Sequence, residues 1–165
     1  MKRLLIAVLA LLLAGCGFHL RNALSLPPDI GPVRVVSPNA YSPLAESLAQ
    51  ALTRAGAAAP ADPTATSGVA MLEIISERWG DSPIAIDQIG RAQEFSLRYA
   101  AEFALRDANG KDVVPQQVIE LSRDYVAPAA DAIGKASERE LLSKELRRDM
   151  TAAILRRIDA ASRQR

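Results

Sequence analysis

Apolar residues open the chain in one block: 12 of the 15 residues from Met1 to Gly15 are apolar, with only Lys2 and Arg3 ahead of the run from Leu4 to Ala14. That run is about half of the roughly 20 residues a spanning helix needs, so it predicts a removable export signal over 1–15. Pro27, Pro28, Gly31 and Pro32 then punctuate a segment that cannot sustain a helix, and 16–32 reads as an extended tether. Val33, Val35 and Val36 predict a short strand. The helix that follows carries its own punctuation, with Ser42 as cap, Pro43 at the first position and Gly56 as the left-handed stop. Leu44, Leu48, Ala51, Leu52 and Ala55 fall on one face of it, and Glu46, Gln50 and Arg54 on the other. The stretch from Ala57 to Gly68 shows neither helical nor strand periodicity and predicts a loop.

From Val69 to Trp79 the β-branched content predicts a strand, interrupted by Glu73 and Glu77. The alternation of Phe95, Leu97, Tyr99, Ala101, Phe103 and Leu105 with mostly polar neighbours predicts a half-buried strand. Asp107 to Lys111 reads as a hairpin turn, and Val118 to Tyr125 as the returning strand. Ser137 and Glu140 match a capping box, so the last helix is expected to run from Ser137 to about Ala161, with Leu142, Leu146, Met150, Ile154 and Ile158 as its apolar stripe. Its other side holds Arg139, Lys144, Arg147, Arg148, Arg156 and Arg157, which reads first as a solvated face. The order strand, helix, three strands, helix predicts an α+β fold. It is a two-layer sandwich over 33–165, with a mixed sheet of about four strands and both amphipathic helices on one face.

Charge and chemistry narrow the function. The 165 residues hold 20 basic and 19 acidic side chains, and loss of Lys2 and Arg3 with the export signal leaves a net charge of about −1, which weakens a nucleic-acid reading. One Cys and one His cannot assemble a zinc or iron-sulfur site within the chain, and no cofactor is expected. His19 lies three residues from Cys16, and no nucleophile turn or phosphate loop of the known spacings occurs. The 19 acids make accidental carboxylate pairs inevitable, so they are weak support for glycoside chemistry, and the protein is expected not to be an enzyme.

The export signal ends in Leu13, Ala14, Gly15 and Cys16, which resembles the lipobox of bacterial lipoproteins, where the Cys is acylated and becomes the first mature residue. Several acyl chains at about 0.8 kcal/mol per buried methylene make such an anchor stable. Gly17 follows where the inner-membrane retention signal has Asp, so outer-membrane delivery is expected.

The start Cys16, Gly17, Phe18, His19, Leu20, Arg21 resembles the LptE family of LPS-assembly lipoproteins. The likeness continues through Leu26 and Pro27; Leu48, Leu52 and Gly56; Glu94 and Phe95; Arg123, Asp124 and Tyr125; Lys135 and Glu138; and Leu146 to Arg148 before Ile154, Arg156 and Arg157. The resemblance implies an outer-membrane lipoprotein whose domain plugs the lumen of the LptD β-barrel from the periplasmic side and binds lipopolysaccharide during its assembly. It implies binding through basic residues at loop tips: Lys135, after Gly134, matches such a residue, and Arg91 in the Gly90 bend is the second, with Gln88 as a competing match. Barrel contact is expected through Arg98, Arg106, Arg123 and Arg147, because hydrated lumen walls accept guanidinium forks. The alternative is a periplasm-facing lipoprotein that binds another envelope ligand or chaperones another protein.

Overall fold

The computed structural model describes residues 30–62, 64, 67–126 and 132–163. The expected export signal, the Cys16 acylation site, His19 and most of the expected tether lie outside them. Six elements follow in order: β1 (Val33–Val36), α1 (Pro43–Arg54), β2 (Ala70–Ile86), β3 (Ala92–Arg106), β4 (Asp112–Val126) and α2 (Ala132–Ser162). The sheet order is β1-β2-β3-β4, with β1 parallel to β2 and the remaining pairs antiparallel. This is the expected mixed sheet with two helices.

The domain begins earlier than expected, because Ile30 is wholly buried and joins the core. Gly31 explains the path. It takes a φ of 77°, and a Cβ there would lie 2.6 Å from the Gly68 carbonyl oxygen, so only glycine lets the entry to β1 lie against the entry to β2. Ala57–Ala59, expected as loop, add backbone bonds to Val33 on the free side of β1.

Core and helices follow the predicted periodicities. Leu97, Tyr99, Ala101, Phe103 and Leu105 of β3 are fully buried, facing Leu44, Leu48 and Leu52 of α1 and Leu146, Met150, Ile154 and Ile158 of α2. Each such aliphatic side chain contributes roughly 2 kcal/mol by leaving water. Ser42 caps α1 by accepting from the Ala45 amide at 3.1 Å, and Gly56 takes a φ of 68° just past its end.

Three boundaries differ from the sequence reading. β2 runs on from Trp79 through Gly80 and Pro83 to Ile86, because β1 reaches only Glu73 and leaves the rest of β2 as an edge, where proline is tolerated. β4 starts at Asp112, ahead of the expected Val118. The last helix starts at Ala132, so Ser137 lies inside it and does not cap it. Contacts from Lys135 and Arg139 to the sheet hold the additional turn, and tertiary packing overrides the local capping signal.

Two hairpin turns of one design close the ends of β3. In each, an Asp side chain accepts from the amides two and four residues on: Asp87 from Ile89 and Arg91, and Asp107 from Asn109 and Lys111. Gly90 and Gly110 take φ values of 80° and 78° in the same place. The shared signature is Asp-x-x-Gly followed by a cation.

Candidate functional site

A bulge at Ile75 shapes the helix-facing side of β2. Leu72 and Ile74 point into the core, but the register skips from Ile74 opposite Phe103 to Ser76 opposite Glu102. The extra residue inverts the alternation, so Glu77, Trp79 and Asp81 turn toward the helices. Glu77 accepts from the Ser42 and Tyr99 hydroxyls, the latter at 2.5 Å, and burial followed by this carboxylate pushes the Tyr99 phenol upward. Trp79 stacks on Tyr99 with centroids 4.0 Å apart, and Arg147 of α2 lies 5.6 Å from the Trp79 ring.

Asp81 continues the series. It accepts from Tyr125 Oη at 2.8 Å and pairs with Arg139 Nε at 3.2 Å, joining β2, β4 and α2. Burial, then the Asp81 carboxylate, pushes the Tyr125 phenol up to about 12. Tyr125 packs on Phe95 with centroids 5.6 Å apart, and Lys135 Nζ stands 3.5 Å from the Phe95 centroid. The Lys135 ammonium makes no ion pair among the described residues. Lys135 was expected in a loop; it occupies the first turns of α2 instead.

Arg91 closes the β2–β3 turn. Its Nε is 3.0 Å from Asp87 Oδ2, its side chain remains 60% exposed, and its amide holds the Asp87 carboxyl below the ordinary carboxylate value. Gln88 is exposed in the same turn. Arg91 precedes Phe95 by four residues, about 13 Å of strand. Arg91 and Lys135 therefore share one end of the sheet, which the sequence could not show, and the sister cation Lys111 closes the opposite end.

The four arginines expected at a barrel interface divide between two faces. Arg98 and Arg106 lie on the face away from the helices; Arg98, opposite Gly80 and Ser122, is exposed without an ion pair among the described residues. Arg106 pairs with Glu73 at 3.0 Å and Asp112 at 3.2 Å. Arg123 pairs with Asp149 of α2 at 2.7 Å, and Arg147 covers Trp79.

Sequence reading passed over Phe95, Asp81 and Arg139 as site residues, and over Ile84, Ile86 and Ile89, which are 49%, 69% and 71% exposed. Three isoleucines within six residues of a turn were the available signal for the last group. Among the described residues no helix is long and apolar enough to cross a membrane, and no group of His, Cys, Asp or Glu could hold a metal.

The molecule is an α+β sandwich of one mixed four-stranded sheet and two helices, and the proteins it is similar to are lipoproteins. The family model described as "LptE: Lipopolysaccharide-assembly" matches residues 30–158, and the chain belongs to that family. It is 27% identical over 157 residues to the LPS-assembly lipoprotein LptE of Photorhabdus laumondii, covering 94% of this chain and 83% of that one. With the protein of the same name from Yersinia pestis it shares 28% over 155 residues, covering 94% and 73%. The solution structure of an uncharacterized lipoprotein B from Nitrosomonas europaea superimposes with a TM-score of 0.70 at 26% identity, covering 87% of this chain and 91% of that one. The crystal structure of the rare lipoprotein B from Shewanella oneidensis has the same fold, with a TM-score of 0.68 at 24% identity, covering 81% and 98%.

Proposed function

We propose that this protein is an outer-membrane lipoprotein, anchored by acylated Cys16, which binds lipopolysaccharide and plugs and stabilises the LptD β-barrel during lipopolysaccharide assembly. The observation that carries the binding part is the placement of Lys135 and Arg91 toward the same end of the sheet, with Lys135 held over Phe95 and left without a carboxylate partner among the described residues. Lipid A phosphates are strong acceptors, and charge-assisted hydrogen bonds to accessible cations are the interaction they favour. The names of the relatives support the lipopolysaccharide assignment. Barrel contact rests on the family likeness and on a polar outer sheet face that suits a hydrated lumen. There, Arg98 is the cation best placed to bridge to wall carboxylates.

The test is the double variant Arg91→Asp, Lys135→Asp. It is expected to fold, to copurify with the barrel and to lose lipopolysaccharide binding at low salt. Unaltered binding removes both residues from the site, and a wild-type domain that never copurifies with a barrel overturns the plug.

A further inference from the structure

The Asp87–Arg91 and Asp107–Lys111 turns have the same hydrogen bonds and the same glycine geometry, yet they differ at their third residue. Asn109 fills that place in one and Ile89 in the other. A polar residue therefore satisfies the turn, and the turn itself does not call for isoleucine. Ile84 and Ile86 lie on the strand leading into the same tip, and all three are 49% to 71% exposed, whereas the leucines and isoleucines of the core are closed off from water. β1 stops opposite Glu73 and β4 at Val126 opposite Glu94, so among the described residues the ribbon from Ile86 to Arg91 projects past both neighbouring strands, with Ile84 level with the end of β4.

Exposed aliphatic side chains beside accessible cations suit one kind of ligand, an anionic amphiphile. We propose that the hairpin end is a two-part lipid surface, in which Ile84, Ile86 and Ile89 contact the acyl chains of the phosphorylated saccharolipid whose head group Lys135 and Arg91 hold. This rests on the lipopolysaccharide reading above and adds the hydrocarbon half of the contact. The cations match the phosphates, and the exposure of the isoleucines at the hairpin end leaves them open to chains that extend from the same head group.

The experiment uses the mature full-length lipoprotein in lipid nanodiscs at fixed low salt, with two probes, acylated lipopolysaccharide and its fully deacylated counterpart. The variant is Ile84→Ser, Ile86→Ser, Ile89→Asn, with Ile89→Asn alone as the milder form, since the sister turn already holds Asn. The triple variant is expected to bind acylated lipopolysaccharide at least about tenfold more weakly, roughly 1.4 kcal/mol, and the deacylated probe as the wild type does. The single variant is expected to fall between. Equal binding of the acylated probe by wild type and triple variant overturns the proposal. So does an equal loss on both probes, or a loss of barrel copurification with lipid binding intact, which would make the tip a protein interface. A wild type that binds neither probe overturns the lipopolysaccharide reading itself, a result distinct from all of these.

Discussion

The Ser42 hydroxyl faces two ways, accepting from the Ala45 amide at the start of α1 and donating to the Glu77 carboxylate on β2. One side chain thus caps a helix and ties it to the sheet at the point where the Ile75 bulge turns Glu77 inward. Ser42→Ala removes the cap and leaves a half-buried carboxylate with one donor fewer. A loss of about 1–2 kcal/mol is expected in urea unfolding. A loss below a few tenths would show that the cap and the tie to β2 are dispensable.

Phe95 supports the Lys135 ammonium through its ring face, an interaction of about 0.5–1 kcal/mol at partly exposed sites. Phe95→Leu is expected to weaken lipopolysaccharide binding by about two- to fivefold, and Phe95→Tyr, which keeps the face, to restore it. The comparison should be made in the Lys135→Ala background as well, where the Phe95→Leu effect is expected to vanish. If the effect persists there, Phe95 acts by another route.

The Tyr125 phenol donates to Asp81, and its folded-state value is raised from 10.0 to about 12. A raised value means that the contribution is fully present below pH 10 and is lost as the pH climbs from 10 through about 12. Alkaline unfolding should therefore steepen across that window, and Tyr125→Phe should flatten it. Asp87 has the opposite sign: its lowered value makes its support for the β2–β3 turn present above the ordinary 3.8 and lost as acid protonates it. Amide exchange at Ile89 and Arg91 is expected to speed up on acidification relative to an Asp87→Asn control, after correction for the intrinsic rate.

Periodicity made most of the architecture legible. The β3 alternation and the four-residue repeat in α2 named the buried faces correctly, because a half-buried strand or helix leaves its period in the residues themselves. The far half of β2 was hidden because Gly80 and Pro83 resemble breakers and become acceptable only once β1 is known to stop at Glu73. Glu77 resembled an interruption because a bulge inverts parity without a residue type that announces it. At the site, Lys135 and Arg91 could be named one by one from the family likeness, but their shared end depends on the hairpin register and on α2 starting at Ala132. Asp81 and Arg139, 58 residues apart, carry no sequence sign that they meet.

Acylation at Cys16 predicts a defined product. Mass spectrometry of the mature chain should find an N-terminal Cys16 carrying acyl groups, and Cys16→Ala should yield an unprocessed or soluble protein. A free Cys16 thiol on an otherwise mature chain would refute the anchor.

The four arginines first assigned together to barrel contact are now expected to behave differently, because three are already engaged within the domain. Arg106 is clamped between Glu73 and Asp112, Arg123 pairs with Asp149, and Arg147 covers the Trp79 ring, whereas Arg98 stands exposed on the outer sheet face. Reversing Arg106 or Arg123 places like charges together inside the domain, and reversing Arg147 removes the cation over the Trp79 ring, so part of each effect falls on stability. Surface pairs of this kind are individually worth up to about 1 kcal/mol, so each such variant should still fold. Arg98→Glu removes no internal partner among the described residues and introduces no clash with Gly80 or Ser122 across the strands. It is therefore expected to leave thermal unfolding unchanged while reducing barrel copurification, and Arg106→Glu is expected to lower the unfolding midpoint with less effect on the complex. Measured side by side, a normal complex from Arg98→Glu would move the contact surface off the outer face of β3, leaving the helix side as the face that meets the barrel wall.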